Sequence, residues 1–174
     1  NYCTWNPVDQ KNATLSSGAL VCSLPANASN YTRGTISVTS GKWYWEVTLN
    51  SGVHGMIGIS QQDYSGALSY TQGVLFYYVS NGNIYGNVGR SGTYTSYGSG
   101  LSVGDVLGVA LDMDNGNVKF YKNGTAEASG ANANSSTLRG LIISPCLGEG
   151  GGAMTTTTNF GQRSFSQTPP TGYS

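Results

Sequence analysis

The 174-residue chain has a length suited to one domain, a formal net charge of zero, and only 9% charged residues. Nucleic acid and anionic membranes both require a clustered basic surface, so neither is expected as a partner. No apolar run approaches the roughly 18 residues of a membrane-spanning helix, and membrane insertion is not expected either.

Apolar and polar residues alternate with a period of two along much of the chain, which predicts strands. In the first clear example, Trp43, Trp45 and Val47 are predicted to point into the core. Tyr44 and Glu46 then face the opposite side of the sheet. Further strand-like runs are Met56–Ile59, Val74–Val79, Val106–Leu111, Val118–Tyr121 and Leu141–Ile143.

Turn signals separate these runs, and helical periodicity is nearly absent. The pairs Asn81-Gly82 and Asn115-Gly116 predict tight hairpins, because Asn and Gly both tolerate the positive φ angles of such turns. Many short strands with frequent turns predict an all-β fold, a sandwich of two antiparallel sheets.

The C-terminal residues Thr168–Ser174 contain two prolines and a glycine and are typical of the beginning of a linker. We therefore expect one domain over residues 1–167 and the start of a linker over 168–174. The chain is interpreted as a segment of a longer protein.

The three cysteines are an odd number, so at least one thiol stays unpaired within the chain. Buried free thiols are the simpler interpretation, since cysteine is among the most buried residue types. A bridge between Cys3 and Cys22 is the alternative.

Two motifs together resemble the SPRY (B30.2-like) domain family. Ser40–Val47 reads SGKWYWEV, similar to the family's SGKHYWEV strand, and Gly108–Gly124 is similar to its GVALD hairpin. Gly55–Ser60 occupies the place of another family strand. The resemblance covers roughly residues 33–160. It implies a two-sheet, concanavalin-like β-sandwich that acts as a binding module without a cofactor.

The flanking segments, residues 1–9, 13–18, 159–165 and 168–172, are similar to those of SPRY modules in bacteriophage and related bacterial proteins. This resemblance implies a virion or extracellular location on a tail, fibre or other surface chain. The implied partner is a host-surface glycan or protein, with other virion proteins as further candidates.

Tyrosine is abundant, with twelve residues, several of them in loop-like segments. Binding loops favour tyrosine because it offers a large contact area at low conformational-entropy cost, and arginine can anchor a carboxylate or carbonyl. Alternatively, some of these rings only cover the ends of the sandwich. The predicted ligand-binding residues, on end loops, are Tyr31, Arg33, Tyr64, Tyr70, Arg90, Tyr94 and Tyr97.

Two other functions stay open at this point. One is a structural or assembly role within a virion. The other is a glycosidase-like enzyme that uses Glu46 with a carboxylate from another strand, such as Asp112. Glycosidases need two carboxylates at roughly 5–5.5 Å or 6.5–9.5 Å. The strand of Glu46 carries no second carboxylate, so non-catalytic binding is preferred.

No metal or cofactor is expected. The segment Asp112–Gly116 begins like a calcium loop, but Asn123 stands where the bidentate glutamate would be. A tight hairpin, in which Asp114 or Asn115 bonds its own backbone, is favoured instead. The single histidine, His54, is expected to be exposed at the start of a strand, without the ligand cluster that zinc requires.

Overall fold

The computed structural model describes residues 2–26, 29–90 and 94–173. Two antiparallel sheets of seven strands each make up this part of the chain, which confirms the predicted all-β sandwich. The first sheet contains, in spatial order, β1 (Trp5–Lys11), β4 (Tyr31–Gly34), β13 (Ile143–Glu149), β6 (Gly55–Gln61), β7 (Val74–Tyr78), β8 (Ile84–Gly86) and β9 (Tyr94–Thr95).

The second sheet faces the first across the core. It contains, in spatial order, β12 (Thr125–Ala126), β11 (Asn117–Lys122), β10 (Val106–Asp112), β5 (Lys42–Ser51), β14 (Met154–Asn159), β3 (Val21–Leu24) and β2 (Thr14–Ser16). A short 3-10 turn at Glu127–Gly130 follows β12. Within the described ranges, no helix is long and apolar enough to cross a membrane.

The core lies between the inner faces of the two sheets, and period-two alternation selects the side chains that fill it. On β5, Trp45, Val47 and Leu49 are buried there, as the alternation predicted for Trp45 and Val47. The first sheet contributes, among others, the buried side chains Ile57, Ile59, Leu75, Tyr77 and Leu147.

Trp43 is a correction to the predicted core. It pairs with Leu111 of β10 and so shares the inward face of β5, but its side chain is 40% exposed. It lies one residue after the start of the strand, at the edge of the sandwich. Its indole Nε1 donates to the Ser40 carbonyl at 2.8 Å.

Both Asn-Gly pairs lie in hairpin connections, as predicted. Gly82 lies between β7 and β8, and Gly116 lies between β10 and β11, with φ angles of 74° and 71°. Asn81 and Asn115 do not have the positive φ angle that the prediction assigned to both turn positions. The strand predicted at Leu141–Ile143 is wrong in its extent, because β13 begins at Ile143 and continues to Glu149. The glycine at 148 weakened the sequence signal, yet a Cβ there would lie 2.7 Å from the Phe76 ring, so close packing requires glycine.

All three cysteines are free, so the bridge between Cys3 and Cys22 is absent. Cys22 and Cys146 are buried, and Cys3 is partly buried. Burial raises the pKa of the Cys22 and Cys146 thiols to about 12 and also raises the pKa of Cys3. The thiolate is the reactive form, so these cysteines are poor nucleophiles in the folded protein.

We expect native protein near pH 8 to resist alkylation by iodoacetamide at Cys22 and Cys146. With a pKa of about 12, the thiolate fraction, and hence the rate, falls on the order of a thousandfold below that of an ordinary thiol. Peptide mass spectrometry checks this directly. In denaturant, all three cysteines should react; fast native labelling of Cys146 would contradict the described packing.

Candidate functional site

The outer face of the first sheet carries a row of side chains set by strand register. Cys146 pairs with Gly58, Gly58 with Phe76, Phe76 with Tyr85, and Tyr85 with Tyr94. Directly paired residues project to the same side of a sheet. Register therefore brings aromatic rings from β7, β8 and β9 together on one surface.

Five rings form what we call the aromatic surface: His54, Tyr70, Tyr78, Tyr85 and Tyr94. Tyr85 is central, with ring centroids 5.2 Å from Tyr94, 5.5 Å from Tyr78 and 6.3 Å from Tyr70, all edge to face. His54 and Tyr78 lie 6.4 Å apart. Contacts of this kind fix ring orientation, so the surface is preorganised.

Three of these rings, those of His54, Tyr70 and Tyr94, are exposed to solvent. Tyr70 is 42% exposed and Tyr94 is 56% exposed, whereas Tyr85 and Tyr78 are half-buried beneath them. Burial, followed by the neighbouring tyrosines, raises the pKa of Tyr85, so this hydroxyl stays protonated at neutral pH. The surface combines apolar ring area with phenol groups that donate or accept hydrogen bonds.

Hydrogen bonds anchor the ring edges. The Asn83 side-chain amide donates to the Tyr94 hydroxyl at 3.0 Å, and His54 Nδ1 lies 3.0 Å from the Tyr78 hydroxyl. His54 is exposed immediately before β6, as the sequence predicted. These bonds lower the mobility of the rings, which reduces the entropic cost of binding a partner.

The connection between β6 and β7 folds over part of this face. Leu68 packs there against a small buried cluster that includes Val74 and Phe76. The Tyr64 hydroxyl donates to Gln72 at 2.8 Å and thereby braces the connection. Tyr70, carried by the same segment, and Tyr31, on β4, line a narrow cleft beside this cluster.

Arg33 lies in β4 and is buried. Its Nε donates to Ser60 at 3.0 Å, and its NH1 group pairs with the Asp9 carboxylate at 3.2 Å. Its NH2 group donates to the Gln61 carbonyl at 3.2 Å. Each guanidinium nitrogen therefore has an acceptor within the fold, and Arg33 links β1, β4 and β6.

Arg90 and Tyr97 also contact the fold extensively. Arg90 donates to the carbonyls of Ile84 and Gly86 at 3.0 and 3.4 Å, and burial lowers its pKa. The Tyr97 ring packs edge to face on Phe120 at 6.1 Å, and its hydroxyl donates to the Ala131 carbonyl. Tyr97 therefore packs against the sandwich, which is the alternative role that the sequence analysis left open for some tyrosine rings.

The structure thus separates the seven predicted ligand-binding residues. Tyr70 and Tyr94 meet on the aromatic surface, whereas the strand of Tyr31 and Arg33 lies five strand spacings, about 24 Å, from the strand of Tyr94. Tyr31, Arg33 and Tyr94 occupy strands rather than the predicted end loops. The sequence analysis did not identify Tyr78 and Tyr85. Strand pairing shows that both lie on the same face of the sheet as Phe76.

Glu46 lies outside this surface, on the outer face of the second sheet. Its carboxylate accepts bonds from the Ser166 backbone N–H and hydroxyl, both at 2.9 Å, and from the Gln167 N–H at 2.7 Å. Phe165 packs edge to face on the adjacent Tyr44 at 4.9 Å. The buried Glu46 therefore holds the C-terminal segment against β5.

The glycosidase geometry proposed for Glu46 and Asp112 is not formed. Glu46 pairs with Gly108, whereas Asp112 pairs with Lys42, four residues further along the strands. That offset is about 13 Å, longer than either carboxylate spacing used by glycosidases.

The β10–β11 hairpin closes through Asp112, which corrects the expectation for Asp114 or Asn115. The Asp112 carboxylate accepts the Asn115 N–H at 2.9 Å and its side-chain amide at 2.8 Å. Burial raises the pKa of Asp112, but these bonds and Lys42 outweigh it, so the pKa lies below its usual value. Asp114 instead accepts the Gly41 N–H at 2.7 Å.

Across the described ranges, no group of three or more His, Cys, Asp or Glu residues could hold a metal ion.

Comparison with known families matches residues 42–163, most of the chain, to the model described as SPRY domain. The chain belongs to the SPRY domain family. SPRY domains are typically protein–protein interaction modules and are generally non-catalytic.

Solved structures show the same fold. The crystal structure of the SPRY domain of human HERC1 matches with a TM-score of 0.73 and 17% identity, over 92% of this chain and 99% of that one. The TRIM65 PSpry domain matches with a TM-score of 0.68 and 18% identity, over 91% and 92% of the two chains. The crystal structure of a human SPRY domain matches with a TM-score of 0.61 and 17% identity, over 89% of this chain and 99% of that one. Identities this low establish the SPRY sandwich and nothing about the ligand.

Proposed function

We propose that this SPRY domain is a non-catalytic binding module that recognises a protein on a host cell surface through the aromatic surface. The observation that carries the proposal is the cross-strand set of edge-to-face rings centred on Tyr85, with Tyr70 and Tyr94 exposed at its edges. We further propose that the parent chain acts in a virion or an extracellular location, on the basis of the flanking segments.

Physical chemistry favours a partner that is neither strongly acidic nor strongly basic. The aromatic surface consists of four phenols and one imidazole, and Arg90, which is close to Tyr85 and Tyr94 in sequence, donates to backbone carbonyls of β8. Tyrosine contributes contact area and hydrogen bonds at low entropy cost, and it is enriched among residues that dominate binding energy. Binding should therefore depend weakly on salt, in contrast to charge-steered association.

A glycan is the second candidate, and the exposure of Tyr94 favours it. Its ring is 56% exposed, and the Asn83 amide lies beside its hydroxyl. A flat exposed ring can pack against the apolar face of a sugar, while the phenol hydroxyl, held in place by Asn83, can hydrogen-bond the hydroxyl groups of that sugar. A structural role within a virion is the alternative in which the partner is another copy of the parent or another virion protein.

The predicted result is that replacing both Tyr70 and Tyr94 with alanine weakens partner binding at least tenfold, while the domain stays folded. Both residues are exposed, by 42% and 56%, and neither belongs to the buried core, so their removal costs little core packing. Wild-type and variant domains are applied in parallel to arrays of cell-surface proteins and of bacterial and eukaryotic glycans. Circular dichroism melting verifies that the variant is folded.

The matched control is Tyr2→Ala, which removes a ring of similar exposure, 60%, far from the aromatic surface in sequence and outside the ring cluster. Signal lost in the double variant but kept in the control supports the proposal, and the array that responds distinguishes protein from glycan. Equal signal in all three domains contradicts a role for the aromatic surface. Light scattering of the wild-type domain tests the assembly alternative, which expects a defined oligomer.

A further inference from the structure

A cavity of about 450 Å³ opens at one edge of the sandwich, where β5 begins. Both sheets contribute to it, the first through Pro145 of β13 and the second through Trp43 of β5 and Leu111 of β10. Further walls come from segments outside the sheets, through Tyr2, Ile36, Val38, Phe160 and Phe165. Chain segments far apart in sequence therefore meet around one concave space.

The walls that a ligand reaches from solvent are mainly aromatic rings. Tyr2 and Trp43 are exposed, and Phe160 and Phe165 are half-buried. Ring pairs in edge-to-face or offset contact contribute about 0.5–1.5 kcal/mol beyond the burial of apolar area. An aromatic ligand is therefore favoured over a saturated one of the same size.

Charge is excluded from the lining of this cavity. Among the residues that the structure describes, no Asp, Glu, Lys, Arg or His lines it. A charged ligand would lose hydration there without gaining a counter-ion, which is strongly unfavourable. An uncharged ligand instead gains from removing apolar wall area from water.

The C-terminal segment forms one wall, and Glu46 holds that segment against the sheet. Phe165 immediately precedes Ser166 and Gln167, whose backbone N–H groups donate to the Glu46 carboxylate at 2.9 and 2.7 Å. The Phe165 ring also packs edge to face on Tyr44 at 4.9 Å. A ligand in contact with Phe165 binds the docked form of the segment more tightly, and by reciprocity it stabilises docking.

We propose that this cavity binds a small, uncharged aromatic molecule, which the docked C-terminal segment holds through the ring of Phe165. The volume of the cavity falls within the range of about 300–1,000 Å³ that small-molecule sites occupy. None of the five rings of the aromatic surface lines the cavity, so the two sites are independent.

The test uses three probes that share one ring skeleton: naphthalene-2-methanol, decahydronaphthalene-2-methanol and naphthalene-2-carboxylate. The first is aromatic and uncharged, the second is saturated, and the third carries a charge. We expect the first to bind with a dissociation constant on the order of 100 µM. The saturated alcohol should bind about fivefold more weakly. The carboxylate should bind at least about tenfold more weakly.

Carbon–proton correlation NMR of the methyl groups locates the bound probe. Ring currents of the naphthalene should shift the methyl signals of Ile36, Val38 and Leu111, which line the cavity. The signals of Val8, which is 90% exposed on β1 and is not part of the lining, should stay unchanged.

Two matched variants test the role of the C-terminal segment. Phe165→Leu keeps an apolar wall but removes the ring, so naphthalene-2-methanol should bind about two- to tenfold more weakly. Tyr173→Leu removes a ring from the same segment at a position that does not line the cavity, so affinity should be unchanged. Circular dichroism verifies folding, and the three probes test the wild-type cavity even if Phe165→Leu fails to fold.

Four results would overturn the proposal. The first is that naphthalene-2-methanol does not bind up to its solubility limit. The second is that the saturated alcohol or the carboxylate binds as tightly as the aromatic alcohol. The third is binding without shifts at Ile36, Val38 and Leu111, which would place the probe elsewhere. The fourth is unchanged affinity in folded Phe165→Leu. Failure of partner binding to the aromatic surface would leave these measurements unaffected.

Discussion

Replacing Glu46 with alanine is expected to lower the free energy of unfolding by about 3 kcal/mol. The carboxylate is buried and accepts three hydrogen bonds from Ser166 and Gln167. Hydrogen bonds to a charged acceptor are worth more than neutral ones, and the substitution also leaves two backbone N–H groups without their acceptor. Urea unfolding followed by circular dichroism measures the change.

Two comparisons make this prediction specific. Ser166→Ala removes one of the three bonds and should cost about 1 kcal/mol. In a chain that ends at Arg163, Glu46→Ala should cost well under 1 kcal/mol, because the carboxylate then has water in place of the C-terminal segment. A change below 0.5 kcal/mol in the full chain, roughly the size seen at ordinary surface positions, would contradict the assigned role.

The same measurement bears on catalysis. Residues of active sites commonly compromise stability, so removing them tends to leave stability unchanged or to raise it. A large loss of stability on replacing Glu46 would be the opposite of this behaviour. It would identify the carboxylate as part of the scaffold that joins the C-terminal segment to β5, in agreement with its three internal donors.

Arg33→Met is expected to lower the free energy of unfolding by about 2–3 kcal/mol. Methionine keeps the apolar stem but removes the donors to Asp9, Ser60 and the Gln61 carbonyl. Breaking one side of a buried ion pair is costly because the remaining charge loses its partner. The expected loss is smaller than that for a fully buried ion pair, because Asp9 retains some contact with water.

Lys42→Met is the matched control for Arg33→Met. Lys42 also pairs with a carboxylate, Asp112, at 3.5 Å, but its side chain is 36% exposed. An ion pair with one exposed partner contributes less than about 1 kcal/mol, and Asp112 keeps its two hydrogen bonds from Asn115, so the control should cost much less than Arg33→Met. Equal effects of the two substitutions in urea unfolding would contradict a structural role for Arg33. A neutral result for Arg33 would return it to the predicted ligand-binding set.

Much of the fold could be predicted from local sequence. The alternation around Trp45 and Val47 identified an inward face, and the Asn-Gly pairs at 81–82 and 115–116 located two hairpins. The two motifs at Ser40–Val47 and Gly108–Gly124 indicated the SPRY family, which the family comparison confirms. These features succeed because they depend on residues close together in sequence.

The candidate site was predicted less completely. Tyr70 and Tyr94 were identified by residue type, but Tyr78 and Tyr85 were not. Cross-strand register decides which tyrosines share a face, and register depends on residues far apart in the chain. Arg33 illustrates the same limit, since its partners Asp9 and Ser60 come from two other strands.

The sequence alone determined the fold class, the family and the low charge, because these follow from composition, short-range periodicity and local motifs. Tertiary structure decided the rest. Only strand pairing placed Tyr85 between Tyr78 and Tyr94, and only the return of the C-terminal segment assigned Glu46 its donors. The physical reason is that burial and hydrogen-bond partners are set by contacts between distant segments, which no local pattern encodes.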